Sequence, residues 1–255
     1  MAIVVAFSNQ KGGVGKTTTC VNLAAYLALG GYKVLLVDLD MQASATSSLG
    51  EFDKNIHNSI YSAMFTQDIA TCIVRSEING LDFVPSSLDL CGFEKDVADV
   101  DKKEFLLSGA LDTIKDDYDF VFVDCAPSIN TLLVNALCAA DGVIIPLQCE
   151  YLALEGMNQL LNTVYLAKKH LNERLEVYGV ALTMYQARSK LSKDVEREIR
   201  RLFGDKVFES KIPRNVRLAE CPSHGKPIVL YDDKCAGAIA YNALAKEFIS
   251  KIFKE

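Results

Sequence analysis

The chain has 255 residues, half of them apolar, with 27 basic and 33 acidic side chains and a net charge of −6. That balance excludes a uniformly basic nucleic-acid coat protein, so any contact with nucleic acid must come from a local patch. No apolar run reaches the roughly 18 residues of a membrane span, and the first residues lack a signal-peptide pattern, so a cytoplasmic protein is expected.

Ala2–Ser8 predicts a buried strand, and Lys16–Leu29 a helix with Cys20, Leu23, Ala24, Leu27 and Ala28 on one face, stopped by Gly30 and Gly31. Lys33–Asp38 predicts a second strand. A more polar stretch follows, with short helices near Ile60 and Ile69, and Gly80–Pro85 is a strand entering a loop. Then come a helix over Lys103–Lys115, a strand over Phe120–Asp124, a helix over Thr131–Ala140 and a strand over Gly142–Leu147. Leu152–Leu171 is a long helix, Val177–Thr183 a strand, Leu191–Phe203 a charged helix and Ala236–Phe253 the closing helix. Alternating strands and helices imply an α/β fold: one doubly wound, mostly parallel sheet with helices on both faces, over residues 1–255 as a single domain. The eight cysteines include no CxxC pair and there are only three histidines, so reduced core thiols are expected rather than a zinc site.

Between the first strand and the first helix lies Asn9–Thr18, NQKGGVGKTT. Strand, glycine-rich turn and helix together make a phosphate-binding loop. Gly12, Gly13 and Gly15 let backbone N–H groups face phosphate oxygens, and the helix N-terminus adds a favourable dipole. In that arrangement Lys16 reaches the β- and γ-phosphates and Thr17 puts its hydroxyl on Mg²⁺. Two features are unusual: Gln10 stands where the motif ordinarily has its first glycine, and a second lysine, Lys11, precedes the glycines. Asp124 closes the apolar run FVFVD, and Asp38 and Asp40 close KVLLVDLD, so carboxylates gather at the C-terminal ends of two strands. No NKxD-type run for guanine occurs, which favours ATP.

KGGVGKTT with its leading Lys11 resembles the deviant Walker A motif of the ParA/MinD class of ATPases. VDLDMQASAT resembles that family's segment after the second strand, FVFVDCAPS its Walker B segment, and LTMYQARSKLS a later one. IPRNVRLAECPSHGKPI resembles a stretch of the ParA/Soj branch, and the likeness runs from about residue 2 to 250. Met41 and Ala126 replace family prolines. The resemblance implies a chromosome or plasmid partition ATPase that dimerises around two ATP molecules. Lys11 of each subunit would then reach the phosphates bound by the other. It further implies that Lys16 and the backbone of Gly12, Gly13, Val14, Gly15, Thr17 and Thr18 hold phosphates. By the same resemblance Thr17, Asp38 and Asp124 would hold Mg²⁺, Asp40 would position the attacking water, and Met184, Pro213 and Asn215 would lie near adenine.

From Thr183 to Arg217 ten basic residues face five acidic ones, a basic window in an acidic chain. Charge alone fits either a DNA-binding patch or a solvated helix laced with ion pairs. The resemblance favours nonspecific double-stranded DNA, with Arg188 and Arg217 at the family's basic positions, nucleoid association, and a ParB/Spo0J-like activating partner. The alternative is a MinD-like membrane ATPase, for which Leu244, Phe248, Ile249 and Ile252 near the end would supply an apolar face.

Overall fold

In the computed structural model, which describes residues 1–53, 56–150 and 153–253, strand and helix alternate from the first residues. β1 (Ile3–Phe7) leads through the glycine loop into α1 (Lys16–Leu29), and β2 (Val34–Leu39) into the short α2 (Ser44–Ser48). α3 (Ile60–Thr66) precedes β3 (Val74–Arg75) and β4 (Leu81–Val84). Next come α4 (Phe93–Asp96), α5 (Leu106–Asp112), β5 (Phe120–Cys125), α6 (Thr131–Ala139) and β6 (Gly142–Gln148). α7 (Ala153–His170), β7 (Glu176–Thr183) and α8 (Lys190–Phe203) follow, and α9 (Val216–Glu220), α10 (Ile228–Tyr231) and α11 (Ala236–Phe253) complete the described chain.

The strands form one sheet in the order β3-β4-β2-β5-β1-β6-β7. Every pairing is parallel except that of β3 with β4. The expected doubly wound α/β sheet is therefore present. Successive side chains on a strand point to opposite faces, so a strand buried on both sides divides its residues between two cores. On β2, Leu35, Val37 and Leu39 enter one core while Val34 and Leu36 enter the other. On β5, Val121, Val123 and Cys125 take the first face and Phe120 and Phe122 the second. The second core also holds Leu23 and Leu27 of α1 and Phe248 of α11, whose ring lies 5.5 Å from Phe120 and 5.8 Å from Phe122.

Three expectations change. The predicted helix over Lys103–Lys115 is α-helical only over Leu106–Asp112, after a tight 3₁₀ turn at Lys103–Phe105. Asn135 explains the break: its side-chain nitrogen donates to the Lys103 carbonyl at 2.8 Å, and its oxygen accepts from Leu107 N–H at 3.1 Å, so these groups are taken from a continuous helix. The antiparallel β3 is an addition to the expected elements; at two residues it is too short to show a period. The long helix begins at Ala153, and its expected first residue, Leu152, lies outside the described residues.

The cysteines are all free; six are buried, Cys235 is partly so, and Cys91 is exposed. The closing helix spends its apolar face on the sheet. Leu244 and Phe248 are fully buried and Ile249 and Ile252 pack against the same core, so the four residues expected to form an apolar face for a membrane pack on the sheet instead. No helix among the described residues is long and apolar enough to cross a membrane.

Candidate nucleotide-binding site

The C-terminal ends of β1, β2 and β5 meet at one edge of the sheet, where the glycine loop leaves β1. Gly13 and Gly15 have φ of 73° and 83°, the left-handed region that side chains disfavour. Gln10 is not among the residues of positive φ, so the loop needs no glycine at that position. The first turn of α1 has no side-chain cap, which leaves its N–H groups facing the cleft for an anion. Thr183, at the end of β7, fixes the loop from below by donating its hydroxyl to the Val14 carbonyl at 2.7 Å. Asn9 fixes its entry: the side chain donates to the Pro146 carbonyl at 2.8 Å and accepts from Lys11 N–H at 3.0 Å.

Asp38 and Asp124 are register partners on neighbouring parallel strands. Counting alternately from Val34 and Leu36, and from Phe120 and Phe122, both carboxylates point to the α1 face. Both are fully buried. Asp38 accepts from Thr46 N–H at 2.8 Å, the Thr46 hydroxyl at 2.7 Å and Asp40 N–H at 3.1 Å. Burial still pushes its carboxyl up to about 6, with these hydrogen bonds opposing the rise. Neither oxygen of Asp124 has a hydrogen-bond partner among the described residues. Burial first, and then the Asp38 charge, hold its carboxyl well above the usual range, an effect the nearby Thr17 hydroxyl only partly offsets. Lys16 is buried beside them and donates to the Lys11 carbonyl at 3.3 Å; burial lowers its ammonium, while Asp124 and Asp40 pull the other way.

The cleft in front of these groups has a volume of about 880 Å³, within the range of small-molecule sites. Gly12, Gly13, Gly15, Lys16, Thr17, Thr18 and Asp40 line one side, and Met184, Pro213 and Asn215 another. Met184 adopts φ 48°, an uncommon value for a side chain with a Cβ, and the next residue, Tyr185, bridges to Pro213. Asn215 uses its side-chain oxygen to cap α9, accepting from Arg217 N–H at 2.8 Å, and so has only its amide nitrogen to offer a ligand. Met41, in place of the family proline, is exposed and takes the Cys91 thiol on its sulfur at 3.2 Å. Thr46, Thr183 and Asn9 are supports that the sequence does not single out, although all three lie in or beside the quoted segments.

Lys11 leaves the glycine loop toward β6. Its ammonium lies 2.6 Å from Glu150 just beyond β6. Of the two residues expected to meet DNA, Arg188 is exposed with no ion pair among the described residues, whereas Arg217 pairs with Glu220 at 3.0 Å and Asp232 at 3.5 Å. Arg197, Arg200, Arg201 and Lys211 are likewise paired with acids. Arg188, Lys190, Lys193, Lys206 and Arg214 are exposed and make no ion pair among the described residues.

A loop of uncapped N–H groups, a buried lysine and a buried carboxylate with two unpartnered oxygens suit a polyphosphate and a hard divalent cation. Comparison with known proteins agrees. A family profile described as an AAA domain matches residues 2–177. The sporulation initiation inhibitor protein Soj of Bacillus subtilis is 48% identical over 248 residues, covering 97% of this chain and 98% of Soj. The chromosome partitioning protein ParA of Caulobacter vibrioides is 46% identical over 251 residues, 97% of this chain and 94% of ParA. Among solved structures, cobyrinic acid a,c-diamide synthase from Mycobacterium smegmatis with bound ADP and magnesium superposes with a TM-score of 0.87 at 33% identity, covering 99% of this chain and 96% of that one. From the loop, the sheet and this near full-length likeness, the chain belongs to the ParA/Soj family of P-loop ATPases.

Proposed function

We propose that the protein is a partition ATPase that dimerises around ATP, binds duplex DNA without sequence preference in that state, and lets go after hydrolysis. ATP and Mg²⁺ are its cofactors. Lys16 and the amides of Gly12–Thr18 hold the phosphates, and Met184, Pro213 and Asn215 flank the base. Thr17, Asp38 and Asp124 form the metal-binding corner, where Mg²⁺ when bound supplies charge neutralisation on the triphosphate. Asp40 sits at the cleft wall with its backbone fixed by the Ser86 hydroxyl at 2.7 Å, and its carboxylate orients the attacking water. The observation that carries the dimer reading is the placement of Lys11: it belongs to a phosphate-binding loop, yet its ammonium is taken up at the surface by Glu150 beyond β6. A cation so placed serves a triphosphate held by a second copy, in the manner of an arginine finger.

Arg188, Lys190, Lys193 and Arg214, exposed and without an ion pair among the described residues, form the DNA-binding patch, with Lys206 beyond them and Arg217 able to exchange its surface carboxylates for phosphate. Dimerisation doubles the number of phosphate contacts. With about six in all, the log–log salt slope of binding is near −5, and the monomer retains half of it. Nucleotide state thereby controls residence on the nucleoid, and a ParB/Spo0J-like partner stimulates release by accelerating hydrolysis. Sedimentation of Asp40→Ala with ATP, Mg²⁺ and a random duplex tests this. A dimer that carries DNA only when ATP is present is expected; a monomer under every condition would sink the proposal.

A further inference from the structure

Glu150 is built to meet Lys11. β6, which Glu150 follows, is paired with β1, which Lys11 follows, and the Asn9 side chain staples the two strand ends through Pro146. The Glu150 Oε2 atom accepts from the Lys11 ammonium at 2.6 Å, across 139 residues of sequence. The Oε1 atom accepts from Gln148 Nε2 at 2.5 Å, which orients the carboxylate toward the lysine. The side chains of Lys11 and Glu150 are 39% and 46% exposed, so the pair sits at the surface, where a second copy of the chain can reach it.

We infer that Glu150 is a positioning residue that holds Lys11 in reserve: it neutralises the ammonium within the free chain and competes for it with the triphosphate of a partner. The inference rests on the dimer reading above. While bound to each other, Lys11 and Glu150 present almost no net charge to an approaching triphosphate; once separated, Lys11 presents a full positive charge. Forming a dimer requires both protomers to open this ion pair. A half-exposed pair is weak enough to open, at about 0.2–1 kcal/mol, yet the pair on each protomer together set a threshold for dimerisation. A triphosphate carries enough charge to outbid one carboxylate, whereas a diphosphate offers less, so the reserve also sharpens the distinction between ATP and ADP.

The test is the dimer dissociation constant with a non-hydrolysable ATP analogue and Mg²⁺, measured by sedimentation velocity on the full chain. It is run for the native protein, Glu150→Gln, Lys11→Ala and the double variant. Glu150→Gln keeps the shape of the side chain and removes its charge; the pair is exposed, so the melting temperature moves by no more than about a degree or two. The expected result is a dissociation constant roughly 2- to 30-fold lower for Glu150→Gln, an effect that disappears in the Lys11→Ala background. An unchanged or weaker dimer in Glu150→Gln, with Lys11→Ala itself impaired, overturns the role of Glu150 and leaves the dimer reading standing. If Lys11→Ala alone dimerises with the analogue as well as the native chain does, the reading of Lys11 fails and the role of Glu150 fails with it.

Discussion

Replacing Asp124 by asparagine separates what the buried carboxylate costs the fold from what it does for the nucleotide. An acid whose folded value is raised destabilises the protein as pH climbs above its unfolded value of 3.8, up to the folded value, because the chain must keep a proton it would otherwise release. The neighbouring Asp38, raised from 3.8 to about 6, already represents about 3 kcal/mol by pH 7 at 1.36 kcal/mol per unit. Asp124 is raised in the same direction, by burial first and then by the Asp38 charge, so its carboxylate also counts against the fold at neutral pH. An asparagine carries no charge but buries an amide without partners, at roughly 1–3 kcal/mol. With a relief on the scale of Asp38's about 3 kcal/mol, the nucleotide-free variant is expected to be no less stable than the native protein and to gain up to about 2 kcal/mol, or up to about 8 °C in melting temperature for a chain of this size. Nucleotide with Mg²⁺ should stabilise the native protein by about 2.7 kcal/mol at a hundredfold excess over its dissociation constant, and the variant by almost nothing. Thermal melts at pH 7, with and without nucleotide and Mg²⁺, read both effects. A nucleotide-free variant that melts below the native protein, or one that keeps the full ligand-induced shift, would refute the reasoning.

Lys16→Ala removes the buried cation of the loop, and calorimetry should show no ATP binding at concentrations that saturate the native protein. Glu196 accepts from Lys211, Tyr185 and Arg200; against desolvation, which raises it, these partners hold its carboxyl down at about 2, and its side chain is only 12% exposed. A depressed acid stabilises above its unfolded value near 4.5, and that contribution drains away as pH falls from there toward 2. Glu196→Gln should thus cost about 1–3 kcal/mol at pH 7 in urea denaturation, with the difference from the native protein vanishing near pH 2. Arg188→Glu with Arg214→Glu should abolish retention of duplex DNA at about 150 mM salt while leaving the ATP-dependent dimer intact, whereas Arg197→Ala, already paired with Asp194, should weaken it less. DNA retention equal to that of the native protein would move the binding face elsewhere.

The sequence by itself determined the sheet and the loop, because both are written in local terms. Strands buried on two faces read as continuous apolar runs, and IVVAF, FVFVD and GVIIPL could hardly be anything else. The phosphate loop is legible for a similar reason: backbone that must adopt positive φ needs glycine, and Gly13 and Gly15 stand where it does. Gln10, which looks like a defect in the motif, occupies a place with no such need. Other features depended on strand order and register. That Asp38 and Asp124 share one face and press against each other follows from the pairing of β2 with β5, which no run of residues announces. That Lys11 rests on Glu150 follows from β6 lying beside β1. The ten bases between Thr183 and Arg217 were countable, but beyond the local pairs of Arg197 with Asp194 and Arg201 with Glu198, which others are engaged was decided by Glu196, Glu209, Glu220 and Asp232, placed there by the folded chain. Chain chemistry is local and can be read in order; the strength and availability of a charge depend on what the fold brings within a few ångströms of it, and on how much water is left between.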